Sequence, residues 1–288
     1  MAMLNRKIDF VLFVSVKMAN PNGDPLNGNR PRFDYNSYGE ITGECLKRKI
    51  RNRMQDMGKE IFVQSNERCM DGCKSLSERA KIFFKSINKK EKDLTQEEYA
   101  KLTCDKWLDV RSFGQVFAFS SKEEKDGVSV GVRGPVSIHQ SVSVDPVEVC
   151  SYQITKSVNG ADAKGKARDT MGMKHMIKFG LYEIKGSINV QLAEKTGFND
   201  EDAQVIKECL LTLFENDSSS ARPDGSMEVV KVFWWEHNCK EGQYSSAKVH
   251  RSVKAVLKDG IVIPSRVDDY DFVVNALDGL EPQILEGY

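Results

Sequence analysis

Along the chain the period of the hydrophobic positions changes several times, and each change marks an element. Residues 8 to 18 (Ile-Asp-Phe-Val-Leu-Phe-Val-Ser-Val-Lys-Met) are β-branched and aromatic, with period-two alternation toward their end, which predicts a central strand. Residues 19 to 40 hold Asn20, Pro21, Asn22, Gly23, Asp24, Pro25, Asn27, Gly28, Asn29 and Pro31, a density of turn formers that predicts no regular structure. Thr42 has the chemistry of an N-cap, and after it Leu46, Ile50, Met54 and Met57 fall on one stripe of a helix ending near Gly58.

Residues 59 to 105 are charged and Lys-rich without a strand pattern, and predict a helical insertion. Core structure resumes near Trp107. Residues 128 to 149 alternate around a Gly134-Pro135 bend, 181 to 193 alternate again, and 228 to 236 form an apolar strand containing Trp234 and Trp235. An amphipathic helix over 199 to 216 opens at Asn199-Asp200-Glu201, and residues 155 to 175, with Gly160, Gly165 and Gly172, predict a mobile protruding loop. The order strand, helix, strand, strand, helix, strand predicts an α+β fold with a ferredoxin-like, RNA-recognition-motif core and large insertions.

Composition narrows the class. A 288-residue chain with 40% hydrophobic and 29% charged residues can bury one sizeable core with embellishments. No stretch approaches the roughly 18 apolar residues of a membrane span, and the N-terminus lacks a signal-peptide pattern, so a cytoplasmic protein is expected. The seven cysteines are scattered and suit a reducing compartment; Cys69 and Cys73 lack a second ligand pair, so neither a metal nor a cofactor is expected. Net charge is zero, yet residues 1 to 57 carry net +4 and 150 to 185 net +4, against net −5 over 192 to 217 and net −6 over 267 to 288. Such segregation suits a basic groove, or copies stacked head to tail; it is also what clustered solvated faces produce.

The helix after Thr42 concentrates Lys47, Arg48, Lys49, Arg51 and Arg53 in seven positions, with Arg48 and Arg51 pointing away from the apolar stripe. That surface reads either as phosphate-binding or as merely solvated. Before it, the run from Asn20 to Arg32 offers amide side chains and backbone N–H groups to phosphates or sugars.

Asn20-Pro21-Asn22-Gly23-Asp24-Pro25, then Asn29-Arg30-Pro31-Arg32, then Cys45-Leu46-Lys47-Arg48-Lys49-Ile50-Arg51 resemble the guide-RNA-binding backbone subunit of type I CRISPR surveillance complexes (Cascade), most closely subtype I-C, of the RAMP superfamily. Asp109 to Gly114, Arg133 to Val136 with Ser143 to Pro146, and Met171 to His175 with Phe179 to Tyr182 follow in the same order, so the resemblance covers residues 8 to about 190.

The resemblance implies an RNA-recognition-motif palm (1–58 and 106–288), a finger-like insertion (59–105) and a thumb loop (155–178). Copies would polymerise head to tail along one guide crRNA beside other Cascade subunits, engage target DNA through the guide, and have no membrane partner. In the thumb, Lys164, Lys166, Arg168 and Lys174 around Met171 and Met173 suit a thioether wedge between bases, with charges on the phosphates; the alternative is a basic loop without contacts.

The expected RNA-binding set is Asn20, Asn22, Arg30, Lys47, Arg48, Lys49, Arg51, Arg111, Arg133, Gln140, Ser141, Lys164, Lys166, Arg168, Met171, Met173, Lys174 and His175. For Arg111 a capping or packing role competes with RNA contact. No catalytic residue is expected, because none of the four histidines sits in a general acid/base constellation. The alternative is a metal-dependent ribonuclease using Asp24 and Asp34.

Overall fold

The computed structural model describes residues 3–119, 129–156 and 170–288. Strand β1 (Ile8–Ala19) is buried along nearly its whole length, as its almost unbroken apolar sequence requires. Two short strands, β2 (Gly23–Asp24) and β3 (Arg30–Pro31), pair within the Asn-rich segment, and β4 (Tyr38–Ile41) leads into helix α1 (Gly43–Asp56). Helices α2 (Leu76–Ser86), α3 (Gln96–Lys106) and α4 (Leu108–Phe113) follow. Strands β5 (Gly114–Ala118), β6 (Ser129–Arg133), β7 (Val136–Ile138), β8 (Ser141–Pro146), β9 (Val149–Lys156) and β10 (Thr170–Ile188) come next. The chain then forms α5 (Val190–Thr196), α6 (Asp200–Leu211), β11 (Met227–Glu236), α7 (Ser246–His250), β12 (Val253–Leu257), β13 (Tyr270–Val274) and β14 (Gln283–Glu286).

The result is a mixed α/β fold on one large antiparallel sheet, ordered β14-β11-β1-β10-β8-β4, with β7 and β9 pairing other lengths of β10. Three expectations need correction. The segment 19 to 40 is not free of regular structure, since β4 joins the sheet edge against β8. The described parts of the segment expected to be a loop, 155–156 and 170–175, are strand: β9 and β10 pair from Val149↔Ile177 out to Lys156↔Thr170. Local glycines, including Gly172, read as loop signals there, whereas the pairing partner lies in β9. The strand expected over 181 to 193 ends at Ile188, and Asn189 caps α5.

Both faces of the sheet are covered. Phe10, Leu12, Val14 and Val16 of β1 pack with Leu46, Ile50 and Met54 of α1 and Ile206 and Leu210 of α6. Val11 and Phe13 face the other way, toward Phe233, Trp235, Val253 and Tyr270. Adjacent Trp234 and Trp235 thus fall on opposite faces, as strand alternation dictates. A third core, with Phe62, Phe84, Tyr99, Trp107 and Phe117, lies under the insertion and draws on residues beyond 105. None of the helices among the described residues is long and apolar enough to cross a membrane.

The C-terminal layer is tied to β1 by a buried polar cluster. His237 Nδ1 accepts the Gln243 N–H at 2.9 Å, so Nε2 carries the proton and donates to Asp9 Oδ2 at 2.8 Å, with Lys7 Nζ 3.1 Å from the same oxygen. Burial by itself would raise the Asp9 carboxyl, but the bonds from His237 and Ser246 and the Lys7 ammonium outweigh it and hold it below the usual carboxylate range. Burial pushes His250 down, against the Gly186 carbonyl and Asp9, with His139 and Lys185 adding to the depression.

Both shifts are downward, so both groups contribute stability at high pH that is lost on acidification. The His250 share is complete above its unfolded value of about 6.5 and drains as pH falls below it; the Asp9 share drains only below about 4. Urea midpoints should therefore be flat above pH 7 and fall between pH 6.5 and 5, less steeply in His250→Gln. A midpoint unchanged between pH 7.5 and 5, or an identical decline in the variant, would contradict this.

Candidate nucleic-acid interface

The Asn-rich turn holds its shape through its own amides. Asn20 is buried and its Nδ2 donates to Asn29 O at 2.7 Å; Asn22 Oδ1 accepts from Thr42 N at 2.9 Å, tying the turn to the start of α1. Asn29 sits at φ 56°, and a Cβ on Gly23 would lie 2.0 Å from Asn29 Oδ1, so any other residue at 23 would displace the Asn29 amide. Asp24 Oδ1 accepts from Leu26 N and Arg32 Nη2, and Asp34 Oδ1 accepts from Asn36 N and Tyr38 N. Both carboxylates are turn formers. Of the two asparagines expected at the RNA, Asn20 thus bonds the backbone of the turn and Asn22 the start of α1.

Helix α1 starts where expected, with Thr42 Oγ1 accepting from Cys45 N. Its basic residues are mostly turned to internal partners. Lys49, expected at phosphate, is only 4% exposed, paired with Asp217 and lying over the Phe214 ring; burial pulls its ammonium below the usual lysine range despite Asp217. Arg51 Nε donates to the buried Asp109 at 2.8 Å, Arg48 Nη1 to Val63 O at 2.8 Å, and Arg53 to Thr212 and Asp56. The face opposite the apolar stripe is covered by residues 61 to 68 and α4, so the row that reads as solvated or phosphate-binding becomes a polar seam. Lys47 alone of the five has no carboxylate or carbonyl partner among the described residues; it lies 5.8 Å over Phe113.

Two further residues of the expected set have internal partners. Arg111 forks onto both oxygens of Asp202, at 2.7 and 2.8 Å, and donates to Cys104 O. Asp202 is also the N3 residue of the α6 capping box, so Arg111 clamps α4 to α6. Ser141 is buried, its hydroxyl donating to Glu183 O. Arg133 and Gln140 are exposed at the surface, and His139 meets His250 edge-on at 5.5 Å. Lys164, Lys166 and Arg168 lie outside the described residues.

The feature that gathers the rest is the β9–β10 hairpin. In its antiparallel register Met171 faces Thr155, Met173 faces Gln153 and His175 faces Ser151, so these share one side, while Tyr152, Ile154 and Lys174 share the other. Apolar side chains stand exposed on both sides: Met171 is 71% and Met173 56% exposed, with Tyr152 at 44% and Ile154 at 46%. A two-stranded ribbon exposing such residues buries too little to explain them as core. At its base Ser151 Oγ lies 2.8 Å from His175 Nδ1, and Arg30 Nη1 approaches the same hydroxyl at 3.5 Å. Burial and the Arg30 charge hold His175 below the usual imidazole range. The Asn-rich turn therefore delivers Arg30 to the root of the hairpin. Ser151 and Tyr152 were missed in the sequence, because their strand pairing joins segments about twenty residues apart.

The model of the family described as CRISPR-associated protein Cas7 matches residues 6–275. A CRISPR-associated protein Cas7 of Haloferax volcanii is 25% identical over 303 residues, which cover 97% of this chain and 87% of that protein. Among solved structures, a chain of a CRISPR RNA-guided surveillance complex is 14% identical with a TM-score of 0.46, covering 88% of this chain and 77% of that one. A chain of such a complex in a pre-nicking state is 16% identical with a TM-score of 0.45, covering 80% and 75%.

Proposed function

Because the chain belongs to the CRISPR-associated Cas7 family, we propose that it is the non-catalytic backbone subunit of a type I, Cascade-like complex, polymerising head to tail along a guide crRNA. The observation that carries the reading is the exposed β9–β10 hairpin, with thioether and aromatic side chains on its blade and Arg30, Ser151 and His175 at its root. Apolar side chains along the ribbon suit unstacking of bases, and cations at its base suit phosphates. Backbone contacts carry no sequence information, so discrimination falls to pairing between guide and target DNA. Other Cascade subunits complete the assembly, in the prokaryotic cytoplasm.

In this reading β1, α1, β8, β10, α6 and β11 form the RNA-recognition-motif palm. Its support is the order β11-β1-β10-β8 with both helices on one face. Residues 59 to 105 are the fingers, extended by the β5–β6 hairpin that shares their core, and 155 to 178 the thumb. The RNA path is lined by Arg30, Lys47, Arg133, Gln140, Met171, Met173, Lys174 and His175, while Arg48, Arg51 and Arg111 hold the palm and fingers together and Lys49 is paired within the palm. The turn bonds made by Asp24 and Asp34 support a role without strand cleavage.

Arg30→Glu combined with Lys174→Glu should cut guide RNA co-purifying with the chain by at least about tenfold and flatten the salt dependence of what remains. Both side chains are half-buried and neither has a carboxylate partner among the described residues, so the fold should persist in the circular dichroism spectrum. An unchanged ratio of absorbance at 260 and 280 nm would defeat the assignment.

A further inference from the structure

At the root of the β9–β10 hairpin, side chains of three different chemistries converge. Ser151 stands exposed on β9, with its Oγ 2.8 Å from His175 Nδ1 on the paired strand. His175 is 8% exposed, and its Nε2 has no hydrogen-bond partner among the described residues. Arg30 Nη1 reaches the same hydroxyl only at 3.5 Å, the outer limit of a hydrogen bond, and the guanidinium has no carboxylate partner among the described residues. Its other donors are left for a further acceptor.

Charge divides the trio in two. Burial and the Arg30 charge both oppose a second cation here and hold His175 below the usual imidazole range, so near neutral pH the imidazole is uncharged. Ser151 and His175 then form a neutral unit that offers one donor and one acceptor outward, whichever ring nitrogen carries the proton. A phosphate is met by charge, which Arg30 supplies. A neutral donor–acceptor unit is matched instead by a group that both donates and accepts, namely a hydroxyl. No carboxylate meets the imidazole among the described residues, so nothing orients the pair for nucleophilic attack.

We infer that Ser151, oriented by His175, reads the 2′-hydroxyl of the guide and makes this chain select RNA over DNA, while Arg30 takes the neighbouring phosphate. The inference rests on the proposed function, in which the guide passes the root of this hairpin. In a ribonucleotide the 2′-hydroxyl lies beside the 3′-phosphate, so one nucleotide satisfies the serine, the imidazole and the guanidinium together. A deoxynucleotide turns a C–H group toward Ser151 and His175 and leaves their outward donor and acceptor unmatched. Neither contact touches a base, so the selection is the same for every guide sequence. Met171 and Met173, on the same side of the ribbon, press on bases of either kind of strand and do not make this distinction.

The test titrates the full-length chain, by fluorescence anisotropy, with three labelled single strands of identical base sequence: RNA, DNA carrying deoxyuridine for uridine, and 2′-fluoro RNA. The fluoro strand keeps the ribose pucker and the size of the 2′ group but has no O–H to donate. Wild type should prefer RNA over both others by at least about tenfold, since every bound copy adds one such contact. Ser151→Ala should bring the three strands within about threefold of one another by weakening RNA alone. Ser151→Thr should restore the preference, and His175→Phe should behave as Ser151→Ala does. Arg30→Gln should weaken all three by a similar factor, as loss of a phosphate contact does. Equal binding of RNA and DNA by wild type, or a full preference kept by Ser151→Ala, would overturn the inference and leave the proposed function standing. Equal binding of RNA and the fluoro strand would show that sugar pucker is read in place of the hydroxyl, and would overturn it as well. A wild-type chain that bound none of the strands would refute the proposed function and this inference with it.

Discussion

Asp109→Ala is expected to lower the unfolding midpoint by roughly 10 °C and to expose residues 60 to 75 to limited proteolysis. The Asp109 side chain is fully buried and takes three donors: Phe62 N at 2.6 Å, Val63 N at 3.1 Å and Arg51 Nε at 2.8 Å. Removing one partner of a buried ion pair costs about 3–5 kcal/mol, because the other charge is left without compensation, and here two backbone N–H groups are orphaned as well. For a chain of this size each kcal/mol moves the midpoint by about 2–4 °C. Arg51→Ala should cost less, since Asp109 keeps both N–H partners. Thermal melts of the two variants measure this, and a midpoint within about 2 °C of wild type for Asp109→Ala would show that the carboxylate does not hold the insertion to α1.

Replacing Met171 and Met173 together by Glu is expected to leave folding intact and reduce guide retention by at least about tenfold. Both side chains are mostly exposed, so little packing is lost. Stacking on a base contributes about 1–3 kcal/mol, and the two new carboxylates would also repel phosphate. Met171→Leu with Met173→Leu should retain most binding, because an apolar wedge of similar volume remains. Filter binding of a labelled guide to the purified variants distinguishes the cases. Full retention by the Glu pair would remove the hairpin from the RNA path.

The buried strand β1, the Thr42 cap, α1, the start of α6 at Asn199 and the Trp234-Trp235 strand were legible because each is written in local pattern: period, cap and turn chemistry. The order of these elements also limits the topology, since strand, helix, strand, strand, helix, strand leaves few ways to close a sheet. The C-terminal layer was not legible. Its strands β12 and β13 are short, and what places them is the apolar underside of a sheet whose other face the two helices already cover.

The largest difference lies in the basic helix. Charge density along α1 is a property of the sequence, and it correctly marks a place where cations matter. Which anion meets each cation depends on residues 58 to 168 positions away: Asp109 for Arg51, Asp217 for Lys49. A local pattern can say that a side chain is charged and which way it leaves its helix. It cannot say that another segment arrives with a carboxylate. Sequence alone therefore determined the elements, their order and the presence of a cationic surface. The tertiary structure decided that most of that charge is internal glue, and that Arg30, His175 and the exposed methionines meet at one hairpin, because burial and pairing are settled only when distant segments come together.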